Sequence, residues 1–278
     1  LLELNPCAVR VLSRDEVKHH RLQEEFKYDE RIRNFIGDVR DLPRLEKAMN
    51  ACDIVIHAAA LKRIDLIEYN VGEAIKTNVV GTMNVVEACL KNNVDKAVFV
   101  STDKACSPIN TYGATKLLGE RIFVESNYSK GKSVCKFIAV RYGNVTESTG
   151  SAIPYFCEKI MNCEDVPLTH EKMTRFLITA DRAVDVVFNA LEKGVGGELF
   201  VPKLQSVKIV DLIQVLKEHY DSRSKVKTVG IRPGEKIDEW LLNEDEASRA
   251  FEVGEDFVVV PQIDRHNVGL NYSHLHGK

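Results

Sequence analysis

Asp103, Lys104, Tyr112 and Lys116 stand close together in the chain, and all four can move protons. Tyr112 and Lys116 are four apart, which on a helix puts both on one face, about one turn from each other. A Lys ammonium near a phenol favours phenolate and lowers the Tyr pKa from its reference near ~10. A Tyr tuned in this way takes the proton from a sugar hydroxyl while hydride leaves the same carbon. Asp103 and Lys104 add a carboxyl and an amine, one able to serve as acid and the other as base. A lone Tyr-x-x-x-Lys is weak evidence, since most such pairs are solvated helix faces. The surroundings decide.

Those surroundings are a strand end followed by a helix start. Ala97–Val100 is an apolar run of strand length, and Tyr112–Glu125 reads as a helix with Leu117, Leu118, Ile122 and Phe123 on an apolar stripe. In open α/β sheets ligands bind at that edge. Further strands are expected at 8–12, Ile32–Ile36, Ile54–Ile56, Val134–Val140 and Glu198–Val201. Asp41 is an expected N-cap, with Pro43 just inside the helix. A long helix is expected over Val71–Asn92, with Val79, Met83, Val86 and Leu90 as its core face. Helices are also expected near Ile153–Met161 and over Asp181–Lys193. Gly194-Val195-Gly196-Gly197 reads as a turn, not a phosphate loop. His57 reads as a packed strand-end histidine. Strands alternating with helices imply an α/β fold with a doubly wound parallel sheet and a smaller C-terminal α/β unit. The expected division is 1–150 for the dinucleotide-binding domain and 151–278 mainly for substrate, with segments near 176–201 returning to the first.

Composition narrows the classes. The chain has 278 residues, 44% hydrophobic and 28% charged, with net charge −3. Nothing there favours nucleic acid or an acidic membrane surface. No apolar run approaches the ~20 residues of a membrane-spanning helix, and the start lacks a signal-peptide pattern. Seven scattered cysteines without Cys-x-x-Cys suggest a reducing cytoplasm, with no zinc site and no metal. Cys52, Cys89 and Cys135 read as small core residues. His266, His274 and His276 read as a polar tail. No internal repeat or low-complexity linker is present.

Ser-Thr-Asp-Lys-Ala-Cys-Ser-Pro-Ile-Asn-Thr-Tyr-Gly-Ala-Thr-Lys, from Ser101 to Lys116, resembles the extended short-chain dehydrogenase/reductase family. Within it, the block is similar to inverting UDP-N-acetylglucosamine 4,6-dehydratases of the polysaccharide biosynthesis type. The resemblance runs from Val9 to about Tyr272. It implies a Rossmann sheet, a homo-oligomer of at least two chains, and an NADP-dependent lyase acting on UDP-N-acetylglucosamine. Tyr112, assisted by Lys116 and Thr102, would deprotonate the C4 hydroxyl as hydride leaves C4. Lys104 would remove the C5 proton and Asp103 would protonate the leaving 6-hydroxyl. Hydride returns to C6, and C5 is reprotonated from the other face. Asp-Lys at 103–104 separates this group from retaining dehydratases, which look as if they carry Asp-Glu, and from simple C4 epimerases, which have neither. Tyr rather than Met at 112 suits the flagellin and surface-sugar type, which makes a pseudaminic acid precursor.

The resemblance also distributes the binding residues. Arg14 and Lys18, after the second strand of such a fold, suit a 2′-phosphate and hence NADP over NAD. Asp38 and Val39 fall on adenine, Ala58, Val100 and Ser101 on the cofactor, and Lys62 on cofactor and substrate together. Tyr112 and Lys116 also contact the cofactor, and Asn78 supports Lys116 through water. In the block Arg141-Tyr142-Gly143-Asn144-Val145, Asn144 falls on the sugar nucleotide. Thr169 and Glu235 fall on the substrate, and Arg175 and Arg232, the latter in Arg-Pro-Gly-Glu-Lys, on its UDP moiety, where Arg suits a diphosphate. Two positions depart from the pattern: a small residue is expected where Glu147 stands and a basic one where Thr149 stands. A carboxylate beside a pyrophosphate is unfavourable by like-charge repulsion. No G-x-G-x-x-G occurs, so the first strand and its glycine loop are expected just before Leu1. Without that strand, two unpaired strand edges are expected. The alternatives are an inactive nucleotide-sugar-binding homologue and a related UDP-sugar epimerase.

Overall fold

The computed structural model describes residues 1–146, 152–263 and 272–275. Glu147, Thr149, His266, Asn271 and His276 lie outside the described residues. The first half alternates strands β1 (Val9–Ser13), β2 (Ile32–Ile36), β3 (Ile54–His57), β4 (Lys96–Val100) and β5 (Lys136–Val140) with helices. Those helices are α1 (Glu16–Glu25), α2 (Leu42–Met49), α3 (Ile64–Ile67), α4 (Val71–Ala74), α5 (Gly81–Lys91) and α6 (Thr111–Ser129). Next come β6 (Asn144–Val145), α7 (Ala152–Met161), β7 (Val166–Leu168), β8 (Thr174–Ile178), α8 (Ala180–Lys193) and β9 (Leu199–Pro202). The chain continues through β10 (Ser206–Lys208), α9 (Ile209–His219), β11 (Val226–Thr228), α10 (Glu244–Ala247), β12 (Ala250–Val253) and β13 (Asp256–Val259).

The large sheet has the order β12-β13-β9-β5-β4-β3. Its β3, β4, β5 and β9 are parallel, while β13 and β12 extend it antiparallel. Side chains of these strands alternate between two cores. Ala97, Phe99, Phe137, Ala139, Leu199 and Val201 meet α2, α5 and α6 on one face. Val98, Ile138, Val140, Phe200 and Val258 meet α8 on the other. A sheet buried on both faces needs strands that are apolar throughout, as 97–100 and 137–140 are. A third core joins α7, α9 and β7 through Phe156, Ile160, Leu168 and Ile213. The fold is the doubly wound α/β arrangement that the sequence implies.

Strands β1 and β2 form their own parallel pair. Leu12 anchors the pair to the first core, and Arg10 donates to the Ala48 carbonyl at 2.9 Å. Strand β3 ends the large sheet, and there Ile54 and Ile56 are 51% and 37% exposed.

Two sequence expectations shift. The span Val71–Asn92 is not one regular helix: a π-helical stretch, Ile75–Val80, separates α4 from α5. The wider π turn moves the helical phase. Small and polar residues (Ala74, Thr77, Asn78, Gly81, Thr82, Val85, Ala88 and Cys89) form the buried face. Of the expected face, Val86 is buried, whereas Met83 is exposed. Helix α6 likewise buries Gly113, Thr115, Lys116, Gly119, Glu120 and Phe123, leaving Leu118 exposed. Around Gly194–Gly197, the Glu198 carboxylate accepts the Val195 and Gly196 N–H groups at 2.7 and 2.8 Å. Those amides are satisfied within the turn.

Arg141, at the end of β5, is fully buried. Its guanidinium donates to both oxygens of Glu120 on α6, at 3.0 and 2.7 Å, and to both oxygens of Glu246 on α10, at 2.7 and 2.8 Å. It also donates to the Leu241 carbonyl at 2.8 Å. Removing the central cation strands two buried carboxylates. Arg141→Met should therefore lower the unfolding free energy by about 3–5 kcal/mol. Urea unfolding measures this, and a loss below about 1 kcal/mol would show that the arginine is dispensable.

Candidate active site

Strand β4 hands the chain to the site. Ser101 N–H donates to the Val140 carbonyl at 2.7 Å and Asp103 N–H to the Tyr142 carbonyl at 3.0 Å, continuing the β5 pairing. A short 3₁₀ turn, Asp103–Ala105, reverses direction. Asn110 then caps α6, its side-chain oxygen accepting the Gly113 N–H at 2.7 Å. Gly113 is required by closeness: a Cβ there would stand 2.1 Å from the Lys104 carbonyl oxygen. So the first turn of α6 lies directly on the 103–104 turn.

Asp103 is wholly buried. Its Oδ1 accepts from Thr102 Oγ1 at 3.0 Å and from Lys104 Nζ at 2.9 Å, and its Oδ2 has no partner among the described residues. Lys104 also lies 3.7 Å from Oε1 of Glu239. Burial pushes the Tyr112 phenol well above its ordinary value and Asp103 adds to that, while a hydrogen bond with Thr102 pulls the other way. Burial pushes the Lys116 amine from 10.5 down to about 7, against the charge of Glu120. Lys116 donates to the Val100 carbonyl and stands 4.0 Å over the Phe99 ring. The expectation that an ammonium at 116 lowers the Tyr112 pKa is thereby corrected. Desolvation is the largest influence on the phenol, and it wins. Asn78 holds both Leu61 backbone groups and Thr115 Oγ1, joining the loop before Lys62 to α6. His57 is buried against Phe99 and Phe123 and bonded to Thr82 at 3.0 Å. Burial, then Lys116, pushes it down to about 3. It is the packed histidine expected.

The residues assigned to a cofactor line the ends of β1 to β4. Arg14 Nη1 is 3.2 Å from Asp38 Oδ2, and Arg40, which the sequence reading missed, binds the same oxygen at 2.7 Å. Burial raises the Asp38 carboxyl, but these arginines outweigh it and hold it below its ordinary value. Val39 packs its side chain into the core and gives its carbonyl to Asn84 at 3.0 Å, so only its N–H remains for a ligand. Ala58 is exposed at the end of β3. Burial, then the nearby charge of Lys18, lowers the Lys62 amine. Lys18 and Lys62 thus face one region of like charge, which suits a polyanion. Ser101 Oγ is buried without a hydrogen-bond partner among the described residues. An orphaned hydroxyl at the β4 end, a small residue at the β3 end and paired cations beyond fit a nicotinamide dinucleotide laid along the strand ends.

The substrate assignments fare unevenly. Asn144 Oδ1 is buried and unpartnered among the described residues, as a ligand contact would be. Thr169 follows β7, half-buried. Arg232 is exposed, and Glu235 accepts its backbone N–H at 3.3 Å. Arg175 is corrected: its guanidinium donates to the carbonyls of Thr174, Lys236 and Ile237 at 2.6 to 3.0 Å. It braces a loop and has little left for a diphosphate. Arg141, inside the block expected to contact ligands, is instead the buried ion-pair centre described above. The braced loop reaches the site itself. Gly234, at φ +79°, gives its carbonyl to Asn110 at 2.8 Å, and Lys236 Nζ donates to the Cys106 carbonyl at 2.8 Å. Glu239 and Lys236 were missed because the site residues they reach, Lys104 and Cys106, lie over 100 positions away. The one signal was an ionisable pair following Arg-Pro-Gly-Glu.

Comparisons with known proteins agree with this geometry. A family model described as polysaccharide biosynthesis protein matches residues 1–261. A Campylobacter jejuni protein named UDP-N-acetylglucosamine 4,6-dehydratase (inverting) is 41% identical over 259 residues, covering 93% of this chain and 76% of that one. A Methanocaldococcus jannaschii chain described as an uncharacterized membrane protein is 44% identical over 268 residues, covering 94% and 80%. A UDP-glucose 4-epimerase of Rickettsia massiliae is 36% identical over 265 residues, covering 95% and 76%. Among solved structures, Pen from Bacillus thuringiensis superposes with TM-score 0.91 at 39% identity, covering 95% of this chain and 83% of that one. DesIV, a dTDP-glucose 4,6-dehydratase from Streptomyces venezuelae with NAD and TYD bound, shares the fold at TM-score 0.78 and 20% identity, covering 94% and 85%.

The Lys116 amine generates a pH prediction. Folded, it loses its proton near pH 7; unfolded, near 10.5. Between those values the unfolded chain binds more protons, so this group makes cofactor-free protein more stable as pH rises through that window. Lys116→Met should remove the slope. Urea midpoints at pH 7, 8.5 and 9.5 test this, and equal slopes in both proteins would refute the buried amine.

Proposed function

The chain belongs to the polysaccharide biosynthesis protein family, and from that membership we propose that it is an inverting UDP-N-acetylglucosamine 4,6-dehydratase using NADP. The observation that carries the reading is the Lys104–Asp103 contact of 2.9 Å beneath the first turn of α6, beside Tyr112. One proton moved across that contact gives both groups an elimination needs: a neutral amine to take the C5 proton and a carboxylic acid to protonate the leaving 6-hydroxyl. Tyr112 takes the C4 hydroxyl proton, and any cation brought beside it offsets the burial that raises its phenol. A bound nicotinamide cofactor supplies the hydride acceptor at C4 and the hydride donor at C6. Protonation of C5 from the other face inverts that carbon, and the sum is loss of water without net oxidation. Arg14 and Lys18, with Arg40 beside them, support NADP over NAD. Asn144, Thr169 and Arg232 with Glu235 serve the UDP-sugar.

A UDP-sugar 4-epimerase is the second reading, favoured by the epimerase name of a relative. Epimerisation at C4 needs hydride transfer and one base, and it leaves the Asp103–Lys104 pair without a task. The product would feed surface-polysaccharide or flagellin glycosylation. A cytoplasmic place suits seven cysteines that are all free. Among the described residues no helix is long and apolar enough to cross a membrane.

The test is incubation with UDP-N-acetylglucosamine in D2O, with NADP+ and with NAD+ in parallel. The expected product has lost one water and gained one deuterium, faster with NADP+, and Lys104→Ala makes none. An epimer of unchanged mass would overturn the dehydratase reading.

The helices beside the site also support an oligomer. Val71, Ile75, Val80 and Met83 are exposed around the π turn, and Leu118 on α6. Apolar rows of this kind suit a symmetric helix-to-helix interface of at least a dimer. Light scattering should give a dimer or larger that Met83→Glu weakens, and a monomer at micromolar concentration would refute it.

A further inference from the structure

Lys104 touches two buried carboxyls. Asp103 is its chain neighbour; Glu239 comes from the segment after the 232–236 loop. Glu239 is 5% exposed, and its Oε2 has no hydrogen-bond partner among the described residues. Its cations stand at 3.7 Å (Lys104) and 3.6 Å (Lys236), beyond good hydrogen-bond distance. A carboxylate buried on such loose pairing is costly to the fold. The structure nonetheless braces it: Arg175 grips the carbonyls of Lys236 and Ile237, and Lys236 grips Cys106. Burial raises the Glu239 carboxyl and Asp103 adds to that, against Lys104, Arg175 and Lys236.

We propose that Glu239 is a positioning residue of the acid–base pair, a second negative charge that keeps the shared proton on Asp103 and Lys104. This rests on the elimination reading. Elimination needs Asp103 to carry a proton, and a lone carboxylate bonded to an ammonium gives it up readily. A second carboxylate beside the pair raises the proton affinity of both members. The charged and titratable groups facing the cluster are Asp103, Lys104, Arg175 and Lys236, with Tyr112 facing Asp103. Of these groups only Asp103 is a carboxyl, so a second negative charge at the pair can come only from Glu239.

The experiment compares wild type, Glu239→Gln and Glu239→Asp with NADP+ and UDP-N-acetylglucosamine from pH 5.5 to 9.5. With Gln, both limbs of the bell-shaped kcat profile should move to lower pH by about one unit or more. At pH 8 kcat should drop roughly tenfold, the rate cost of about one pH unit on the falling limb, while KM stays within about twofold. Asp should restore the position of the bell. A lowered rate with the limbs unmoved, or an unchanged rate, would overturn the proposal. Carbamylation of Lys104 by cyanate, followed by peptide mass, needs no turnover. At pH 8 it should run faster in the Gln variant, whose Lys104 amine has lost a stabilising charge, and equal rates would overturn the proposal. If wild type yields no dehydrated product yet the labelling differs, the elimination reading fails while the electrostatic role of Glu239 stands.

Discussion

The buried guanidinium of Arg141 is the joint on which the rest of the structure depends. Strand β5 ends in it, α6 meets it through Glu120, and the C-terminal segment meets it through Glu246 and the Leu241 carbonyl. Glu246 also closes a capping box with Asn243, so α10 is ordered by the same side chain that pairs the arginine. Burial raises the Glu246 carboxyl, but the hydrogen bonds and charge of Arg141 outweigh it. Such a cluster is weak evidence of net stability, since a well-packed apolar set often does as well. What it provides is geometry. Two carboxylates that cannot be left alone force α6 and the 241–246 segment into one place relative to β5.

The Tyr112 helix and the Glu239 segment hang from that joint. Tyr112 and Lys116 ride on α6. Glu239 sits two residues before Leu241. Burial is the largest influence on the Tyr112, Lys116 and Glu239 groups alike. It pushes each toward its neutral form: phenol and carboxyl up, amine down. Charge near the site then has unusual leverage, because few counter-ions and little water oppose it. That is why the loosely paired carboxylate at 239 matters more than its distance to Lys104 would suggest at a surface.

Much of the fold was legible from the sequence. The apolar runs at 97–100 and 137–140, and the strand-end cluster from Ser101 to Lys116, lie where read. Local pattern carries such features, because a strand buried on both faces is apolar throughout and a cap is a matter of a few residues. The phase of the 71–92 span was not legible. Much of its buried face is Ala, Gly, Thr, Asn and Cys, small or polar residues that carry little hydrophobic signal, while Ile75, Val80 and Met83 face outward. Arg175 was assigned to the diphosphate for a related reason. Arginine is read as a ligand-binding group unless its partners are visible, and the Lys236 and Ile237 carbonyls that it binds lie 61 and 62 positions away. The Tyr112 pKa was misread because spacing alone reports the neighbouring ammonium and not the burial that raises the phenol.

The dependence also runs from the loop back to the chemistry. Gly234 holds the cap of α6 through Asn110, Lys236 holds Cys106 just past the 103–105 turn, and Glu239 reaches Lys104. Three successive points of one segment therefore grip three successive points of the stretch that carries the acid, the base and the tyrosine. Arg232 lies two residues before Gly234, and Glu235 follows it. A ligand that pulls on that loop pulls on the cap of the Tyr112 helix and on the surroundings of Lys104 at once. That segment is also tied to β8, through Arg175 and through Thr174, whose N–H donates to the Ile237 carbonyl at 3.0 Å and whose hydroxyl donates to Asp238 at 2.7 Å, so such a pull works against a fixed end.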